Sequence, residues 1–105
     1  MIAEYFRSRV GAIIFLGDKV IMHEIGIVED LIKLIKEEIN KHQNVQHLKN
    51  ASVSVGRSLA ISEESLKFLF ESLTKGTFLE GAGLKISMEE GNFITLTSLD
   101  IDIKE

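Results

Sequence analysis

A chain of 105 residues with 45% hydrophobic side chains holds enough apolar material for one small core and is too short for a second domain. Its net charge is −4, with Lys and Arg dispersed among Asp and Glu, so no basic stripe exists to neutralise a phosphate backbone and nucleic acid is not an expected partner. It has no cysteine, which removes disulfides, thiolate metal sites and thiol chemistry, and leaves any metal to nitrogen or oxygen donors.

The first 21 residues carry no sustained hydrophobic period. The apolar run at Gly11–Leu16 is far shorter than the ~20 residues that span a bilayer. Arg7 and Arg9 precede it in the manner of a secretory leader, but no small-x-small cleavage pattern follows before Lys19. Neither export nor membrane insertion is therefore expected. Ala12–Leu16 is apolar enough to serve as an added edge strand.

From Ile25 the pattern becomes regular. Ile25, Val28, Leu31, Ile32, Ile35 and Ile39 recur at three- and four-residue spacing with charged residues between them, which predicts an amphipathic helix. Glu29 and Asp30 lie early in it and Lys41 and His42 at its end, the favourable arrangement against the helix dipole. Asn40–Asn44 reads as its exit. A strand is expected over Leu48–Val55, where Ala51, Val53 and Val55 alternate with Ser52 and Ser54, and Gly56 stops it. Ser62 is a candidate N-cap for a second helix. Glu63 and Glu64 would fill its first turn, Leu66, Leu69, Phe70 and Leu73 its buried face, and Gly76 the left-handed position that ends it. Lys75-Gly76-Thr77 has the letters of a phosphate-loop fragment, but it lacks the preceding glycine and strand.

After the Gly81-Ala82-Gly83 loop, Leu84, Ile86 and Met88 alternate as one strand. Gly91-Asn92 supplies a turn, and Phe93–Ile103 forms a last strand, so the two are expected to pair as a hairpin. Parity slips within the last strand: Ile94 and Leu96 face the core, yet so must Leu99, Ile101 and Ile103. One extra residue, a β-bulge near Thr97 and Ser98, reconciles them. The expected fold is α+β in two layers, with two helices packed on one face of a three-stranded, mostly antiparallel sheet. No Ser-His-acid arrangement, cysteine nucleophile or glycine-rich loop between strand and helix is present, so an enzyme is not expected. A single His near a helix start is by composition an ordinary helix-end residue, and His42 and His47, five apart around a helix exit, read as solvated.

Two blocks of the sequence carry a family resemblance. "MHEIGIVEDLIKLIKEE", starting at Met22, and "VSVGRSLAISEESLKFLFESLTKGTFLEGAGLKI", with the stretch Leu69–Ala82 inside it, resemble in order the amino-terminal part of the HypA/HybF-type hydrogenase-maturation metallochaperones. The closing "GNFITLTSLDIDIKE" is similar to that family's last strand. The resemblance implies residues 22–105 as a nickel-binding domain in which the family's zinc module, two Cys-x-x-Cys pairs, is replaced by the hairpin turn at Glu90–Asn92. No zinc is then expected.

It implies Ni(II) as the metal, with Met22, His23 and Glu24 as its site. A free Met22 amine, the His23 amide and imidazole, and the Glu24 amide can close fused chelate rings in a nitrogen-rich plane suited to Ni(II). Because an internal Met22 has no amine, translation is expected to start at Met22, or residues 1–21 to be removed. The implied role is assisting nickel insertion into a [NiFe]-hydrogenase in the cytoplasm. The implied partners are a maturation GTPase of the HypB type and the hydrogenase large-subunit precursor, with a homodimer compatible with both. The alternative is a zinc-less paralogue acting as an adaptor or regulatory docking protein for the maturation machinery through Glu29, Asp30 and Lys33, without carrying metal.

Overall fold

The computed structural model describes residues 3–16 and 24–104. They form β1 (Ala3–Leu16), α1 (Glu24–Ile39), β2 (Val45–Gly56), a 3-10 turn (Arg57–Leu59), α2 (Glu63–Thr74), β3 (Gly83–Glu89) and β4 (Phe93–Lys104). The α+β expectation holds, with two helices over a sheet. The sheet has four strands rather than three, in the order β1-β4-β2-β3. It is mixed: β1 and β2 both pair antiparallel with β4, and β3 pairs parallel with β2.

The expected β3–β4 hairpin is therefore absent. β2, α2 and β3 form a β-α-β unit in which the helix supplies the long crossover that parallel neighbours require. The turn at Gly91, whose φ is +127°, is real. It carries the chain across the end of β2 to that strand's far side rather than joining adjacent strands.

α1 buries Ile27, Val28, Leu31, Ile32, Ile35 and Ile39. Ile25, expected in this stripe, is 48% exposed. It shares Ile32's angular position, but lies in the first turn, beyond the end of the core, and Ile27 is buried instead. Lys41 closes the helix exit by donating to Glu38 Oε1 at 2.7 Å, and that hydrogen bond holds its ammonium above the usual lysine range.

The bulge anticipated in the last strand sits at Thr97. Ser52 pairs with Ser98 and Val53 with Leu96, leaving Thr97 as the extra residue, and its hydroxyl donates to Ser52 O at 3.0 Å. Ile94, Leu96, Leu99 and Ile101 thereby all reach the core. β2 starts at Val45, earlier than the expected Leu48. Register shifts between Val45 and His47 and between Leu48 and Asn50 bring Leu48 inward despite its odd spacing from Ala51.

α2 follows its signals closely. Ser62 Oγ accepts from Ser65 N at 3.2 Å, Leu66 and Phe70 are buried, and Gly76 takes φ +76° beyond the helix end. Ser62→Ala removes the acceptor for one of the helix's unpaired amides. It is expected to lower stability by about 1 kcal/mol, read as a shift of the urea midpoint at unchanged slope. No helix among the described residues is long and apolar enough to cross a membrane.

Candidate metal-binding end of the domain

Of the three residues expected to form the nickel site, Met22 and His23 lie outside the described residues. Glu24 is the first residue of α1 and is half-buried. Its backbone N–H belongs to the first turn, where amides have no intrahelical acceptor. A donor set using backbone nitrogen at this point breaks no hydrogen bond of α1. The helix dipole places partial positive charge here, so a cation gains nothing from the helix, and its affinity must come from the donor atoms themselves. Among the described residues no group of three or more His, Asp or Glu side chains stands close enough to hold a metal ion.

Contacts along α1 show which end of the sheet this is. His42, just past the helix, lies 3.2 Å from Ser8 Oγ through its Nε2, while Ile13 and Ile14 share a surface cleft with Asp30, Lys33 and Leu34. α1 thus runs antiparallel to β1, and its start lies beyond the end of β1, where Leu16 pairs with Phe93. The ends of β2 and β3 and the Glu90–Asn92 link lie at the same end, because Val55 pairs with Ile94, next to Phe93, and Gly56 pairs with Glu89. Glu24, the described residue of the expected nickel site, and the segment expected to replace a cysteine module therefore lie at the same end of the described structure.

That link is tightly seated. Ser58 N donates to Gly91 O at 3.0 Å, and a Cβ placed on Gly56 would fall onto Gly91 O and within 2.9 Å of Asn92 N. Gly56 itself has φ −72° and ψ 131°, a conformation open to any residue. It is the crossing link that excludes a side chain there.

Neither of the histidines read as solvated is so. His42 is half-buried against Ser8, and His47 is half-buried with its Nδ1 buried and lacking a hydrogen-bond partner. The sequence reading missed one polar cluster altogether: Asp100, 2% exposed in β4, is engaged by Arg7 of β1. Its one visible signal is an acid placed between two core residues, Leu99 and Ile101.

A family model described as "Hydrogenase/urease nickel incorporation, metallochaperone, hypA" matches residues 22–95. The chain is similar to hydrogenase maturation factor HypA of Azotobacter chroococcum, 37% identical over 65 residues that make up 62% of this chain and 57% of that protein. It is similar also to the HypA of Beijerinckia indica, 33% identical over 67% of this chain and 61% of that protein. With the HypA of Lawsonia intracellularis it shares 40% identity over 62% and 54% of the two chains. The chain thus matches between 54% and 61% of the length of these relatives. The solution structure of the Ni metallochaperone HypA from Helicobacter pylori superposes with a TM-score of 0.57 at 22% identity, over 71% of this chain and 70% of that one, a likeness of fold. β1 precedes the stretch that the family model matches.

Proposed function

This chain belongs to the HypA family of hydrogenase/urease nickel-incorporation metallochaperones, and from that membership we propose that it binds Ni(II) through Met22, His23 and Glu24 and passes it toward a [NiFe]-hydrogenase under maturation. The family is one of metallochaperones rather than catalysts. The observation that carries the reading is where the family match begins. It starts at Met22, so the Met-His-Glu triplet lies inside the matched stretch and runs directly into α1.

The cargo site follows from donor chemistry. The Met22 amine, the His23 amide and imidazole and the Glu24 amide offer four nitrogens in fused rings, a set suited to planar Ni(II). Protons compete for the same nitrogens, so binding weakens as the pH falls. The unfavourable helix end tempers the affinity, which suits a carrier that must release its metal. The set needs a free amine at Met22, and a cut directly ahead of Met22 supplies one while β1 remains on the sheet.

No zinc is part of this reading. The chain has no cysteine, and the short link over Gly56 joins β3 to β4 directly. The partners that fit the family are a maturation GTPase of the HypB type and the large-subunit precursor of the hydrogenase, met in the cytoplasm. The test is delivery: radioactive Ni(II) loaded on the protein cut ahead of Met22 should move to the large-subunit precursor in the presence of the GTPase. Docking to the machinery with no transferred metal would contradict delivery and leave the adaptor role.

A further inference from the structure

Asp100 sits in β4 with its side chain 3% exposed. Leu99 and Ile101 on either side of it enter the core, so Asp100 lies on the sheet face turned away from the helices. An ionised carboxylate this far from water is tolerated only when paired. Arg7, its cross-strand neighbour in β1, places Nε 2.7 Å from Oδ1 and Nη2 3.3 Å from Oδ2. These are two parallel charge-assisted bonds in the fork geometry special to arginine.

The next residue of β1 acts on the opposite face. Ser8 is 7% exposed, pairs with Leu99 and meets His42 Nε2. Elsewhere β1 specifies its register poorly, because its pairing with β4 shifts between Arg9 and Ala12 and again between Ile13 and Phe15. A strand with such interruptions has no clean alternation to hold it in place. A slip by one residue would set Phe6 or Ser8 opposite Asp100 and leave the buried carboxylate without its guanidinium.

We propose that the Arg7–Asp100 pair is a register latch that makes β1 an obligatory fourth strand of this domain, so that the segment ahead of the metal motif is part of the fold and not a dispensable leader. The latch also closes the outer edge of β4, whose backbone donors and acceptors would otherwise be open to a second chain. A chain lacking residues 1–21 would expose that edge and take the Arg7 guanidinium away from the buried Asp100 carboxylate. This inference does not rest on nickel binding.

The experiment uses the 105-residue chain as wild type, Arg7→Ala, Asp100→Asn and Arg7→Ala/Asp100→Asn, with Arg7→Lys as the conservative variant. Hydrogen exchange of the β1 amides and the urea midpoint are the readouts. Arg7→Ala is expected to remove β1 protection and lower the midpoint. Adding Asp100→Asn should restore much of both, because a neutral amide costs less to bury than a carboxylate that has lost its guanidinium. Arg7→Lys should fall between, keeping the charge without the fork. If Arg7→Ala does not fold, recovery of a protected β1 in the double variant supports the latch. Wild-type protection in Arg7→Ala, or a double variant no better than Arg7→Ala, would overturn it.

Discussion

His23→Ala is expected to abolish the one-to-one nickel site in protein cut ahead of Met22. The imidazole closes one of the fused chelate rings, and its loss opens the plane as well as removing a donor. The drop in affinity should therefore exceed the roughly 10–100-fold that follows from disturbing a group behind a ligand. Glu24→Ala should do far less, because Glu24 enters the plane through its backbone amide, which alanine retains. An unchanged helical circular dichroism signal in both variants checks that α1 has formed. Isothermal calorimetry gives the affinities. Nickel binding by His23→Ala equal to the parent's would remove the metal-carrier reading, and retained docking to the maturation machinery would then favour the adaptor.

Gly56→Ala should be strongly destabilising. The backbone angles of Gly56 accept any residue, so no conformational strain is at issue. The added carbon would meet the carbonyl of Gly91 and the amide of Asn92, and backbone cannot turn aside as a flexible side chain would. The link would have to lift, giving up the bond from Ser58 N to Gly91 O and pulling on the start of β4. The expected cost is at or above the upper end of the ~1–3 kcal/mol usual for overpacking, measured by urea unfolding. Gly11→Ala in β1 is the control. A Cβ there meets nothing within 4 Å, so it should be neutral or stabilise by about 0.4–1 kcal/mol through a less flexible unfolded chain. Equal midpoints for the two variants would show that the crossing link is loosely held.

Much of the architecture was legible because it is written in local signals. The stripe of α1, the Ser62 cap, the Gly76 terminus and even the Thr97 bulge follow from spacing and capping chemistry along one segment. Strand partnership was not legible. Gly91-Asn92 has the composition of a hairpin turn, yet it crosses the end of β2, and nothing within residues 84–103 distinguishes the two outcomes. What decides is that α2 returns β3 to the far side of β2, a relation between distant segments.

β1 was legible only in part: Ala12–Leu16 reads as an added edge strand, and β1 is one, but its first half, residues 3–11, was hidden for a different reason. Its two register shifts break the alternation that marks a strand, and its Arg7 reads as a leader's charge until Asp100 is seen across from it. The metal motif is the reverse case. Met22 and His23 carry a signal only through the family pattern, since a lone histidine near a helix start is commonplace and the described residues assemble no side-chain cluster around Glu24.

The most direct test of the nickel reading is one titration of Ni(II), followed by calorimetry and visible absorption, into the 105-residue protein carrying an engineered protease site directly ahead of Met22, before and after the cut. Weak binding without a planar-site band is expected in the intact chain, then one tightly held ion with that band once Met22 becomes an amino terminus. Weak, non-stoichiometric binding in the cut protein as well would contradict it.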